Sequence, residues 1–188
     1  MSNHHVNKTL SPITLDSADE RQKPLLAGAQ KSLGFIPNMY ANMAINPGVL
    51  STYLHGYADF REHSGFTSQE QEVVFLAISM TNGCSYCGAA HSMLADKVSG
   101  VKPEVLAAIR EGKTIPDEKL KALYQFAVDM VETQGKVSKE QGDAFRQAGY
   151  GDQHVTSVIL AIAVKTLSNY SNHFFEPAVD SAFADYAL

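Results

Sequence analysis

Much of what this chain lacks narrows what it does. It has no run of basic residues, and 20 acidic side chains against 15 basic ones leave a net charge of −5. That balance argues against a nucleic acid partner. The longest nearly apolar run, VILAIAV at 158–164, falls well short of the roughly 20 residues that a membrane helix needs. The N-terminus, MSNHHVNKTLSP, is polar and has no apolar h-region. No signal peptide is read there, so a cytoplasmic location with no membrane contact is expected. Cysteine is scarce as well: Cys84 and Cys87 are the only two. In a reducing compartment, one pair at C-x-x-C spacing points to redox work or metal binding rather than to a structural staple.

No stretch alternates in the manner of a β-strand, whereas helix start and stop signals recur. The expectation is an all-α fold, and 188 residues suit a single domain with a real core. Residues 1–16 read as a loosely attached arm and 17–188 as the helical domain. Helices are predicted over about 17–33, from Pro47 to about Glu62, from Thr67 to Asn82-Gly83, and from Cys84 to about Val98. Pro103 opens another, ended by Gly112, and a long one spans about 117–134. Ser138 caps a short helix ending near Gly149, and Asp152 caps the last long one, to about Asn172. A short helix is expected after Pro177, read from the tail FFEPAVDSAFADYAL. Thr67 with Glu70 three residues on matches a capping box. SQEQEVVFLAISM from Ser68 and DQHVTSVILAIAV from Asp152 echo each other, but only near the first copy are there cysteines.

The chemistry concentrates in NGCSYCGAAH. On a helix, Cys84, Cys87 and His91 stand at i, i+3 and i+7, along one stripe. Cys84 falls in the first turn, where unpaired N–H groups and the helix dipole favour a thiolate. His91, one turn beyond Cys87, is placed to accept a proton, and the second thiol can close a disulfide. Glu72 on the preceding helix is a candidate to orient His91, with a solvated helix face as its bland alternative. Glu70 belongs to the cap. A lone cysteine or histidine reads as core packing, and this spacing favours a thiol redox role over a metal or structural one. His173 in NYSNHFFEP is placed to line a pocket, cap a helix end or meet a neighbouring subunit. His55 and His63 read as surface or packing residues. Tyr40, Tyr53 and Tyr57 read as core or interface, and His4 and His5 receive no role.

EVVFLAISMTNGCSYCGAAHS resembles the signature of the carboxymuconolactone decarboxylase and alkyl hydroperoxidase D (AhpD-like) superfamily. That pattern is a Glu twelve positions before a C-x-x-C, then a His four positions after it. Glu72, Cys84, Cys87 and His91 fit it throughout. GFIPNMYANMAINPGVL and NYSNHFFEPAVD resemble flanking segments of its peroxidase-related branch, so the resemblance covers about residues 34–180. One departure is Tyr86, where alkyl hydroperoxidase D often carries a His between the cysteines. The resemblance implies an AhpD-like all-helical bundle that assembles as a homotrimer or homohexamer. It also implies peroxide reduction with no haem, metal or other cofactor, and it promotes Glu72 to a relay member.

The resulting expectation is a thiol-dependent hydroperoxide reductase whose disulfide is reopened by a dithiol partner, a thioredoxin-like or lipoyl protein. Local physics divides the two thiols. The helix N-terminus favours Cys84 as the thiolate, and the distance to His91 favours Cys87. That distance and the resemblance together make Cys87 the attacking thiol and Cys84 the resolving one. The rivals are a zinc-binding structural module built on the same four residues, a redox sensor, and a thiol-independent decarboxylase-like enzyme.

Overall fold

A computed structural model describes residues 11–188. Nine α-helices and a closing 3₁₀ helix account for the described residues, which contain no strand. The helices are α1 (Lys23–Leu33), α2 (Asn38–Met43), α3 (Pro47–His63), α4 (Ser68–Thr81), α5 (Ser85–Lys97), α6 (Pro103–Arg110), α7 (Glu118–Glu132), α8 (Lys139–Gln147) and α9 (Asp152–Phe175). The 3₁₀ helix covers Ser181–Tyr186. No helix among the described residues is long and apolar enough to cross a membrane.

The centre of the bundle is α4, which packs against α5, α7 and α9. Its residues from Glu70 to Ser79 are all buried. A helix wrapped on every side needs apolar side chains all round, and VVFLAI supplies them. α4 and α9, the two segments of the sequence echo, lie against each other. Close approach of α3 to α9 depends on Gly56, where a Cβ would meet Val164 Cγ2 at 2.9 Å. That approach brings the middle of α9 under α3 and α4, beside the cysteines of α5.

Local chemistry sets most helix starts. The Asn46 side chain accepts the Gly48 N–H at 3.0 Å, with Pro47 in the first turn. Thr67 and Glu70 form the reciprocal box: Thr67 N–H donates to the Glu70 carboxylate at 2.9 Å, and Glu70 N–H to Thr67 Oγ1 at 3.3 Å. Asn82 and Gly83, with φ +68° at the glycine, turn the chain so that Cys84 N–H bonds the Ser79 carbonyl at 2.9 Å. Cys84 is thereby the N-cap of α5.

Three boundaries differ from the sequence reading. α1 starts at Lys23, not near 17, because the Asp19 carboxylate captures the N–H groups of Arg21 and Gln22, both at 2.8 Å, in a turn. Gly151, not Asp152, is the N-cap of α9; its N–H donates to His154 Nδ1 at 3.0 Å, and Asp152 pairs with Arg146 at 2.6 Å. α9 also continues past Asn172 to Phe175, where Glu176 adopts a left-handed φ of 46° before Pro177. Of the supposed loose arm, residues 1–10, with His4 and His5, lie outside the described residues. The next few are held: Ile13 N–H bonds the Ala41 carbonyl at 2.9 Å, and Ile13 and Leu15 pack on the core.

Candidate functional site

The turn at Asn82-Gly83 folds α5 back along α4, which brings Glu72, Cys84, Cys87 and His91 together. All four are buried. The solvated-face reading of Glu72 fails: its side chain is 1% exposed. Glu72 Oε2 lies 2.9 Å from His91 Nδ1. Against an ionised carboxylate, Nδ1 carries the ring proton as donor, which leaves Nε2 with a lone pair. The other oxygen, Oε1, is held by Arg61 Nη2 at 2.5 Å. Arg61 also donates to the Tyr57 hydroxyl at 2.6 Å.

Burial opposes a charge on Glu72, but the hydrogen bond and charge of His91 and the charge of Arg61 outweigh it, and its pKa is lowered. His91 is pushed down to about 4, first by burial and then by the positive charge of Lys165, against the pull of Glu72. At neutral pH the ring is neutral and oriented. The Phe75 ring stacks on it, with centroids 4.7 Å apart. Tyr57 stacks on Phe75 at 5.3 Å and on Tyr53 at 5.7 Å, and Tyr53 meets Tyr40 edge-on at 5.7 Å. These tyrosines are core residues that wall the site.

Both cysteines are free thiols. Asn172 of α9 joins them: its Nδ2 lies 3.6 Å from Cys84 Sγ and 3.3 Å from Cys87 Sγ. Ser168, one turn earlier on α9, has Oγ 3.8 Å from Cys87 Sγ. For Cys87, burial resists ionisation, yet its hydrogen bond with Cys84 and the charge of Lys165 prevail and hold the thiol well below its ordinary pKa. The same hydrogen bond, followed by burial, pushes Cys84 up. The helix N-terminus that favours a Cys84 thiolate is therefore overridden by the neighbouring sulfur.

The two sulfurs differ in access. A cleft of about 910 Å³ has Cys84 in its wall, with Tyr86, Tyr170, Asn172, His173 and Phe174 around it. Cys87 is not part of that wall. His173 is exposed and lines this cleft, one of the places foreseen for it. His55 and His63 are exposed. Tyr86 does not face the Glu72–His91 pair. Its hydroxyl bonds Asp180 of the C-terminal segment and its ring meets Phe183 edge-on at 5.5 Å. Among the described residues, no group of three His, Cys, Asp or Glu side chains is arranged to hold a metal ion. Both Glu72 oxygens are already engaged by Arg61 and His91.

Three site residues escaped the sequence reading. Asn172 reads from the sequence as a helix end and a polar neighbour of His173, with nothing to mark it as a partner of the thiols. Arg61 carries no signal beyond its i, i+4 spacing from Tyr57. Lys165 had one: it continues an apolar helical run, and its i±3 and i±4 neighbours, Ala161, Ile162, Ser168 and Asn169, include no carboxylate.

Residues 47–129 match the carboxymuconolactone decarboxylase family. That match supports the resemblance read from Glu72, Cys84, Cys87 and His91. Its fold is shared with the alkylhydroperoxidase AhpD core of an uncharacterized peroxidase-related protein from Ralstonia eutropha JMP134, at a TM-score of 0.79, 22% identity and 93% coverage of both chains. A peroxidase-related protein from Silicibacter sp. TM1040 superposes at 0.75, with 19% identity over 94% of this chain and 96% of that one. The debrominase Bmp8, in a cysteine-to-alanine variant bound to 2,3,4-tribromopyrrole, superposes at 0.77 with 18% identity over 96% of both chains. At these identities the likeness is one of fold. No curated protein sequence matches the chain.

Proposed function

We propose that this chain is a thiol-dependent hydroperoxide reductase of the carboxymuconolactone decarboxylase/AhpD-like kind, acting through Cys87 and Cys84. The observation that carries the reading is the pair of free sulfurs shared by Asn172, with the deeper one beside a neutral histidine that Glu72 orients. Cys87, as thiolate, attacks the distal oxygen of the hydroperoxide. The S–O bond forms, the O–O bond breaks, and Cys87 becomes a sulfenic acid. The thiol proton passes through His91 to the departing alkoxide, which leaves as an alcohol. Cys84 then displaces hydroxide from the sulfenic sulfur, closing the disulfide and releasing water. Two electrons from a dithiol, a thioredoxin-like or lipoyl protein, reopen it by exchange. The exchange begins at Cys84, the sulfur in the cleft wall.

The protein is further proposed to act in the cytoplasm as a homotrimer or homohexamer. Ile159, Tyr170 and Phe174, exposed along α9, are apolar surface suited to a subunit contact. Sedimentation at micromolar concentration tests this, and a stable monomer contradicts it.

A second reading is favoured by the cleft itself. The rings of Tyr86, Tyr170 and Phe174 line it next to Cys84 and suit a flat aromatic substrate. The same two thiols can supply the electrons for reductive removal of bromide from such a ring, leaving a C–H bond and a disulfide. The deciding experiment supplies a dithiol reductant and follows consumption of an alkyl hydroperoxide or of a brominated pyrrole, with thiols counted before and after. Hydroperoxide loss matched by thiol loss supports the first reading. Bromide release without peroxide turnover supports the second.

A further inference from the structure

The thiol centre contains a buried cation that the chemistry above leaves unused. Lys165 is fully buried on α9. Its Nζ has no hydrogen-bond partner among the described residues. The Phe75 ring centre lies 5.6 Å from Nζ, a contact that offsets only part of the cost of burying an ammonium. Long basic side chains ordinarily carry their charge out to water; this one does not.

The surrounding charges leave Lys165 unmatched. From α4 comes Glu72, with one oxygen on Arg61 of α3 at 2.5 Å and the other on His91 of α5 at 2.9 Å. Arg61 and Glu72 cancel, and His91 is neutral at neutral pH. Tyr40 of α2 and Tyr53 and Tyr57 of α3 are kept protonated, chiefly by burial. One positive charge is left over, and the groups beside it able to become an anion are the two thiols. Cys87 lies on the same face of α9 as Lys165: its sulfur contacts Ser168 and Asn172, three and seven residues further along that helix.

We propose that Lys165 is the counter-ion of a Cys87 thiolate and that it thereby makes the Cys84–Cys87 disulfide an oxidising one. Closing the disulfide removes two electrons, the Cys84 proton and the negative charge on Cys87. Lys165 is then buried with no counter-charge, which raises the closed form in free energy relative to the open one. A stabilised reduced form is what makes a dithiol/disulfide pair a strong oxidant. Lys165 is on this account a positioning residue that acts through Cys87. The inference rests on the proposed function only in taking the two cysteines as a reversible pair.

The test compares the full chain with Lys165→Met. Thiolate ultraviolet absorbance is followed against pH, and each protein is equilibrated with glutathione. In that equilibrium the protein dithiol and glutathione disulfide exchange to protein disulfide and two glutathione thiols. The wild type should show one thiolate with a midpoint at least one pH unit below the ordinary thiol value of about 8.5. Lys165→Met should raise that midpoint by a unit or more. It should also favour disulfide formation at least about tenfold, equivalent to about 30 mV towards a more reducing couple. Thermal stability gives a sign that mere packing does not: the substitution should stabilise the disulfide form relative to the reduced form. A wild-type thiol that titrates at its ordinary value overturns the inference without any variant. So does a Lys165→Met protein with the wild-type midpoint and equilibrium. If Lys165→Met does not fold, Lys165→Gln takes the same readings. Failure of glutathione to close the disulfide in either protein counts against the proposed function and the disulfide half of this inference; the thiolate midpoint still decides the counter-ion half.

Discussion

Glu70 and Glu72 lie two residues apart on α4, both buried, yet one is used for structure and the other belongs to the thiol centre. Glu70 is saturated. It closes the capping box with Thr67, accepts the Tyr150 hydroxyl at 2.9 Å and pairs with Lys119 at 2.8 Å. Burial would raise its pKa, but these donors hold it down to about 2. Around Glu72 the carboxylate is likewise engaged, but the buried groups beyond it are not. Among the described residues, Lys165 Nζ, Asn169 Nδ2 and Asn172 Oδ1 all lack partners, and all lie on one face of α9. Buried polar atoms are costly to leave unpaired. A region built only for stability, such as that of Glu70, closes its hydrogen bonds. The region of Glu72 keeps some open, and the two sulfurs are there.

The largest effect expected from this contrast is at the sulfurs. Cys87→Ser should abolish thiol-coupled peroxide consumption in a steady-state assay, and a variant that still turns over would remove the site from the mechanism. His91→Ala should slow the reaction at neutral pH by about 10²-fold or more, the usual scale of general acid–base assistance. Stopped-flow rates on the reduced protein measure it.

The two glutamates then provide a direct pair. Glu72→Gln should slow peroxide reaction, with less effect than His91→Ala. Glu70→Gln should leave the rate per folded molecule unchanged while lowering unfolding stability by about 1–3 kcal/mol. Denaturant melts and turnover on the same preparations separate the two, and equal rate losses would erase the distinction.

A smaller and more gradual effect concerns pH. The folded pKa of His91, about 4, lies below its unfolded value. Between about pH 6.5 and 4 the unfolded chain binds a proton that the folded chain does not, so stability should fall with falling pH by up to about 3 kcal/mol. The depressed carboxylates continue the trend below that window, Glu70 down to about 2 and Glu72 in the same direction. Unfolding free energy measured against pH should lose its upper portion in His91→Gln.

The smallest effect should come from Tyr86→Phe. It breaks the bond to Asp180 and loosens the C-terminal segment, at about 1 kcal/mol. The attacking thiol should react at close to its wild-type rate. A large loss of rate would put Tyr86 in the relay after all.

What the sequence made legible follows from distance along the chain. Glu72, Cys84, Cys87 and His91 fall within 20 residues, on two helices joined by a tight turn; spacing alone aligns the two cysteines with His91, and the resemblance adds Glu72. Helix type was equally readable, since VVFLAI and the capping residues act locally. Arg61, Lys165 and Asn172 reach the site from α3 and α9, and only tertiary packing delivers them. The lowered pKa of Cys87 draws on the hydrogen bond with Cys84 and on one of these three, Lys165, and helix position alone reveals neither. The start of α1 and the cap of α9 were misplaced for a related reason. Asp19 and His154 side chains compete for backbone N–H groups in ways that spacing does not reveal.

Labelling with a sulfenate-specific probe after a single addition of peroxide tests the division of labour between the thiols most directly. Cys84→Ser should react once and be labelled at Cys87, and Cys87→Ser should remain unlabelled. Label on Cys84 in the Cys87→Ser protein would contradict the account, because the sulfur in the cleft wall, rather than the one beside Lys165 and His91, would then be the one that attacks.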